Sequence, residues 1–281
     1  MYNIPAPCFD LDYTLDCGQV FRWIQKDDWW HGVVNGHVVH ASHDGENETL
    51  ILDSKLPEEY LYSYFRLDDD LPSIFSDMDK DVYIHEAITK YRGLRLILQE
   101  PWECLISYML ATASNIPRIK KSIETMSRLL GGDLGNDFYS FPEPEALAGC
   151  CSEDLCECKM GFRARRIVQA AQQVEAGEFD LNAPYELGYV DAKQHLMSIE
   201  GIGDKVADCI LLFAYGKMES FPVDTHVEKI VRQYYSDDFK GPYTKPKMAA
   251  WGLSYFGEYC GYAQQYLFYQ KRLEGGLGTS L

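Results

Sequence analysis

The sequence predicts an α+β chain. An N-terminal antiparallel β domain over residues 1–98 is expected to precede a larger all-helical body over residues 99–281. Three observations carry this. Asn35-Gly36 stands between two β-branched runs in "WWHGVVNGHVVHASH", and Asn-Gly in that setting is the strongest short hairpin signal, because both residues accept positive φ. "ETLILDS" (48–54) reads as a further strand, making residues 10–65 β-rich. From about residue 80 the apolar period becomes helical.

The helical segments follow in order. "PWECLISYMLATAS" places Leu105, Ile106, Met109 and Leu110 on one face behind Pro101. In "NIPRIKKSIETMSRLLGG", Asn115 is the expected N-cap, Pro117 falls in the first turn, and Gly131-Gly132 is the stop. "FRARRIVQAAQQVEAG" forms another helix that ends at Gly177. "DAKQHLMS" is assigned Asp191 as N-cap, with Gln194 completing an acidic capping box. No internal repeat or low-complexity segment interrupts this order.

Composition narrows the classes. No apolar run approaches the roughly 18 residues a membrane span needs, so no membrane partner is expected. "MYNIPAPCFDLDY" has neither a basic nor an apolar leader region, and nine cysteines are an odd number, so reduced thiols in a cytoplasm are expected. Cys150, Cys151, Cys156 and Cys158 lack the C-x-x-C pairing of zinc sites, and the lone Cys260 near the end excludes a four-cysteine iron–sulfur cluster there. No resident metal is expected. The formal net charge of −17 argues against a polyanionic partner, yet base collects locally in "RIKK" (118–121) and "KMGFRARR" (159–166).

Residues 191–226 carry the chemistry. A helix runs into "EGIGD" and straight into a second helix, "KVADCILLFAYG", closed by Gly216. Gly201 and Gly203 permit a tight turn that aims the second helix's free N–H groups outward, which is an anion site in a helix–hairpin–helix. An ordinary helical hairpin remains the alternative. On the second helix Val206, Ile210 and Phe213 share one face, while Lys205, Asp208, Cys209 and Leu212 form another stripe. The lysine is then either a nucleophile in waiting, a solvent-facing residue, or the partner of Asp208. In "FPVDTHV" (221–227), Asp224 sits at an N-cap position, where backbone donors keep a carboxylate ionised and fixed. A fixed anion beside a half-buried amine suits nucleophilic chemistry, although Asp224 also serves as a plain cap.

"IEGIGDKVADC" and "FPVDTH" together resemble the helix–hairpin–helix–Gly/Pro–Asp signature of the 8-oxoguanine DNA glycosylase family. The resemblance extends over nearly the whole chain through "LDCGQVFRW", "YFRLD", "PWECLISYM", "NIPRI", "MGFRARRI" and "GYAQQYLF". It implies a monomeric base-excision enzyme that flips a lesion out of double-stranded DNA. By position, Lys205 would attack the sugar C1′ to give a Schiff base and then β-elimination, with Asp224 orienting or deprotonating it. Cys209 would line the base pocket, the Gly18 carbonyl would accept the N7 hydrogen of 8-oxoguanine, Phe268 would stack on the base and Gln264 would read its edge. Arg118 and Arg163 would contact the cytosine left behind, Phe162 would wedge beside it, and His226 would touch a phosphate. No cofactor is implied, except that a monovalent cation at the hairpin carbonyls is compatible with the family. Two departures stand out. Ala113-Ser114-Asn115 replaces an asparagine run, so wedging either falls to Ser114 or Asn115 or is weaker, which bears on opposite-base selectivity, and Glu200 stands where proline is common. The alternatives are a monofunctional alkylpurine glycosylase, which has no need of Lys205, and a catalytically silent DNA-binding module.

Overall fold

The computed structural model describes residues 1–275. Five strands form one antiparallel sheet in the order β1-β5-β4-β3-β2: β1 Tyr2–Pro5, β2 Ile24–Lys26, β3 Trp29–Val34, β4 His37–Asp44 and β5 Thr49–Ser54. Asn35 and Gly36 join β3 to β4 with φ of 44° and 71°, as an Asn-Gly turn requires, and Val34 pairs with His37 across it. Side chains alternate between faces, so Ile4, Trp30, Val39, Ala41, Leu50 and Leu52 share one small core with Leu61, Tyr64 and Phe65.

Helices begin earlier than the sequence suggested. They include α1 Leu11–Asp16, α2 Glu58–Tyr64, α3 Leu71–Met78 and α4 Val82–Lys90. The reason is capping. Asp10, Asp70 and Asp81 each accept a hydrogen bond from a backbone N–H of the first turn, so part of the acidic run at 66–81 is helix punctuation. The first residues, read only as lacking a leader, form β1 on the sheet edge, with Tyr2 opposite Leu52.

The body continues with α5 Pro101–Leu110, α6 Ile116–Leu130, a small hairpin of β6 Asp133–Gly135 and β7 Phe138–Tyr139, α7 Pro144–Ala148, and α8 Arg163–Glu175. Beyond lie α9 Ala183–Glu186, α10 Tyr189–Met197, α11 Asp204–Ala214, α12 Thr225–Tyr234, α13 Lys245–Phe256 and α14 Cys260–Glu274. A second, larger core gathers these helices with α3 and α4. No helix of the described residues is long and apolar enough to cross a membrane.

Several local expectations hold. Asn115 caps α6 through its side-chain oxygen on Arg118 N–H at 3.0 Å, and Gly131 ends that helix. One is corrected. Asp191 is no N-cap: α10 starts at Tyr189 behind Gly188, and Asp191 lies in the first turn, where a carboxylate still favours the helix dipole. Leu105, Ile106, Met109 and Leu110 of α5 are buried as expected, and so are its other residues from Trp102 to Leu110 apart from Glu103, because α5 packs within the larger core.

The segment 15–23 lies between the two cores. Leu15, Val20 and Trp23 belong to the sheet core, while Cys17 and Phe21 point into the helical one. On the opposite side, Gly261 opens α14 against the chain leaving α11, and its N–H donates to the Met218 carbonyl at 2.9 Å. A Cβ there would lie 2.9 Å from the Met218 oxygen, 3.0 Å from the Ser220 oxygen and against Leu212. Gly261→Ala is therefore expected to cost about 1–3 kcal/mol through overpacking against rigid backbone. The urea midpoint should fall at unchanged slope, and an unchanged midpoint would mean that residues 218–220 give way.

Candidate active site

Four elements converge on one cleft: the turn after α1, and helices α5, α11 and α14, with the start of α12 alongside. The turn comes first. Gly18 has φ +90°, and a Cβ on it would lie 3.0 Å from Arg272 Nη1 and Ile116 Cδ1 and 3.7 Å from Phe268 Cε1. Here glycine is required both by conformation and by space. The carbonyls on either side of Gly18 are held. That of Cys17 accepts from Gln265 Nε2 at 3.1 Å, and that of Gln19 accepts from Gln99 Nε2 at 2.9 Å and from the Tyr108 hydroxyl at 3.1 Å. The Asp16 carbonyl accepts from Arg272 at 2.5 Å. Among the described residues the Gly18 carbonyl itself accepts none, so a rigid turn presents a single unused acceptor.

Helix α11 brings Lys205 to the same cleft. Its Nζ lies 5.2 Å from the centroid of the Tyr108 ring, a cation–π arrangement. Neither bland reading of this lysine holds. It is half-buried, and Asp208 is engaged elsewhere, accepting from Tyr189 at 2.7 Å and pairing with Lys193 at 2.9 Å. Tyr108 is stacked on Phe213 with centroids 5.6 Å apart and planes at 9°, so a single ring meets side chains from both stripes of α11. Cys209, one turn from Lys205, is buried; that burial pushes its thiol up to about 11, against the pull of the Lys205 ammonium.

Asp224 caps α12 as expected. Its Oδ1 accepts from the N–H groups of His226 and Val227, each at 2.8 Å, while Oδ2 accepts from no described residue. The His226 ring stands edge-on to Phe268 at 5.8 Å, so α12 and α14 meet where Gly18 also lies. Gln264, one helical turn before Phe268, is buried, and its side chain makes no hydrogen bond to another described residue. Contacts thus run from Lys205, with Cys209 one turn on, through Tyr108 to the Gly18 turn, and from Gly18 through Phe268 and His226 to Asp224, with Gln264 one turn from Phe268 on α14.

The other expected residues form a second group. Phe162 is 59% exposed at the start of α8, with the Arg163 and Arg166 guanidinium carbons 4.7 and 5.5 Å from its ring. Arg118 is exposed and reaches the Lys159 carbonyl at 3.4 Å. Arg163 does not face outward as the sequence suggested. It is 7% exposed, donating to the carbonyls of Thr112 (2.6 Å), Ala113 (2.8 Å) and Met160 (3.0 Å). The bend at Thr112–Ala113, where Ala113 has φ +51°, leaves these oxygens without helical partners, and the guanidinium supplies the donors. At the hairpin, Gly201 has φ +100° and its missing Cβ makes room for the Arg166 stem, 2.8 Å from where a Cβ would lie; Gly203 is extended and caps α11. Glu200 pairs with Arg165 at 3.1 Å and Arg166 at 3.4 Å.

Sequence comparison bears on this arrangement directly. Residues 1–105 match the family model for the 8-oxoguanine DNA glycosylase N-terminal domain, and residues 106–251 match the HhH-GPD superfamily of base excision DNA repair proteins. The N-glycosylase/DNA lyase OGG1 of Arabidopsis thaliana is 30% identical over 92% of this chain and 76% of its own length. The chain belongs to the 8-oxoguanine DNA glycosylase family. Solved structures agree. A structure of MBOgg1 in complex with a low-affinity DNA ligand superposes with a TM-score of 0.91 at 33% identity, covering 97% of this chain and 96% of that one. The 8-oxoguanine glycosylase/lyase of Clostridium acetobutylicum, in complex with DNA containing cytosine opposite 8-oxoG, gives 0.87 at 31% identity, covering 95% and 93%.

What sequence reasoning missed is the support of the site. Tyr108, Gln99, Gln265 and Arg272 touch the Asp16–Gln19 turn or the lysine; Tyr108 in "PWECLISYM" and Gln265 in "GYAQQYLF" lay inside motifs already singled out, while Gln99 and Arg272 had no local signal. Cys209 supplies a test of the pocket's burial. At pH 8, a thiol titrating near 11 is ionised in about one molecule in a thousand, and the thiolate is the reactive form. Alkylation of the native protein at pH 8 should therefore label exposed Cys156 and spare Cys209. Peptide mass spectrometry showing equal labelling of the two would contradict the buried setting.

Proposed function

We propose that this chain is a bifunctional DNA glycosylase that excises 8-oxoguanine from double-stranded DNA and cleaves the strand at the resulting abasic site. The observation that carries it is the Lys205 amine, held over Tyr108 in the same cleft as the unused Gly18 carbonyl. A glycosidic carbon is out of reach within the stack, so the nucleotide must be flipped into this cleft. There, the Gly18 carbonyl accepts the N7–H of 8-oxoguanine; guanine offers a lone pair at N7 instead and is repelled. Phe268 supplies the stacking face and Gln264 the hydrogen bonds to the base edge. Lys205 Nζ, as the free amine, attacks C1′; the C1′–N9 bond breaks and the base leaves with the electron pair. Ring opening gives a Schiff base, from which loss of a C2′ proton expels the 3′ phosphate. The free Oδ2 of Asp224 orients the amine and stabilises positive charge developing at C1′.

The basic group on α6 and α8 faces the opposite strand in this reading. Arg118 is ready to contact it, and Arg163 joins by exchanging its loop carbonyls for cytosine. Phe162 is the exposed wedge, and Asn115, already committed to capping α6, leaves Ser114 as the polar group nearest the gap. His226 and the hairpin N–H groups of Gly201 and Gly203 engage backbone phosphate. A monovalent cation at the hairpin would use turn carbonyls, although that of Ile199 already accepts the Ile202 N–H at 3.1 Å. A monofunctional alkylpurine glycosylase has no use for the amine over Tyr108, and a silent module has no use for an unpartnered acceptor opposite it.

Borohydride trapping on a duplex with 8-oxoguanine opposite cytosine tests this. The parent protein should form a covalent adduct and Lys205→Gln none; base release without an adduct by both would establish a water mechanism. Glu200 gives a second expectation. Glu200→Gln frees Arg165 and Arg166, so undamaged duplex should bind a few-fold tighter, with a log–log salt slope steeper by about one. The folding midpoint should barely move, because exposed ion pairs contribute about 0–1 kcal/mol. Unchanged binding would show that these arginines lie away from the phosphates.

A further inference from the structure

Tyr108 touches both halves of the site, and the chemistry above uses neither contact. Its ring is fixed from two sides, stacked on Phe213 and edge-on to Phe21 at 5.7 Å, and a third region of the ring faces the Lys205 ammonium. Its hydroxyl donates to the Gln19 carbonyl, in the peptide that follows the Gly18–Gln19 bond. Full burial raises the phenol far above its usual range, so the hydroxyl keeps its proton and acts as a donor.

The hydrogen bonds around it close a ring. Gln99 donates its side chain to the same Gln19 carbonyl at 2.9 Å and its backbone N–H to the Phe213 carbonyl at 2.7 Å, and Phe213 stacks on Tyr108. The turn that presents the Gly18 carbonyl and the helix that carries Lys205 are thereby tied to one rigid side chain.

We propose that Tyr108 is a positioning residue with two separable parts: its ring places the Lys205 amine, and its hydroxyl fixes the turn that presents the Gly18 carbonyl to the base. Selection of the base and placement of the nucleophile then share one reference point. This coupling matters because a displacement of about 1 Å in a reacting group can lower a rate by about a hundredfold. The inference rests on the glycosylase/lyase reading of Lys205.

The two parts predict different responses to two substrates. On a duplex with a preformed abasic site no base is read, so only the amine's position counts. On a duplex with 8-oxoguanine both parts count. Tyr108→Phe keeps the ring and removes the hydroxyl; its single-turnover borohydride trapping on the abasic duplex should stay within about twofold of the parent, while excision of 8-oxoguanine falls about tenfold, the value of one buried hydrogen bond. Tyr108→Leu removes the ring as well, and its trapping on the abasic duplex should fall by about tenfold or more. A Tyr108→Phe protein at parent rates on both substrates, or slowed equally on both, overturns the hydroxyl's role. A Tyr108→Leu protein that traps the abasic duplex at the parent rate overturns the ring's. If the parent protein neither excises nor traps, the functional reading falls, and this inference with it.

Discussion

The site depends on the immobilisation of four residues, Asp16 to Gln19, between two hydrophobic cores. A backbone carbonyl can discriminate between bases that differ by one hydrogen only if it cannot swing away to meet the wrong one. Four groups from distant parts of the chain prevent that: Gln99 and Tyr108 on the Gln19 carbonyl, Gln265 on Cys17 and Arg272 on Asp16. Gln19 adds its own side chain, donating to the carbonyls of Thr14 and Arg95 at 2.8 Å and accepting from Ile97 N–H at 2.8 Å. Every neighbouring oxygen is satisfied, which leaves the unused acceptor defined by elimination. Buried networks of this kind specify one geometry because each unmade bond would cost a full desolvation penalty.

The amine is held by a different principle. Helix α11 is buried along nearly its whole length, so its rotation is fixed by packing and its few polar groups are accounted for. Asp208, 1% exposed, is neutralised by Lys193 and Tyr189 on α10 and therefore does not compete for Lys205. Removing that competitor matters more than adding a partner, since a lysine locked in an ion pair would be a poor nucleophile. The same separation of charges recurs on the surface. The chain is acidic overall, yet Arg118, Arg165, Arg166 and Phe162 share one edge, and carboxylates of the acidic stretch around residue 75 serve as helix caps instead.

The contacts that were legible in the sequence were local ones. Asn35-Gly36, the Asn115 and Asp224 caps and the glycine hairpin depend on residues within four positions of each other, where side-chain chemistry and backbone conformation are directly coupled. The mistakes have the same origin. Asp191 resembles a cap in isolation, but α10 begins two residues earlier, at Tyr189, whose hydroxyl donates to Asp208 on α11. The partners of the Asp16–Gln19 turn were beyond reach, since Gln99, Tyr108, Gln265 and Arg272 lie between 80 and 256 residues away from the groups they hold. No periodicity encodes a pairing of that span.

Arg163 shows where the free protein and a nucleic-acid complex must differ. In the free protein its guanidinium satisfies two carbonyls just past α5, those of Thr112 and Ala113, and that of Met160 ahead of α8, and its 7% exposure leaves little of it for a partner. A base read by Arg163 has to compete with those oxygens, and the bend at Ala113 loses its donors when the arginine leaves. The exchange is balanced only if water or the nucleic acid reaches the freed carbonyls, since buried carbonyls left unpaired would cost about 1–3 kcal/mol each. A base that forms the full set of bonds with the guanidinium offsets that cost, and one that forms fewer does not. In the proposed complex, any discrimination at the opposite strand would draw on the arginine's existing partners as well as on the bonds it gains.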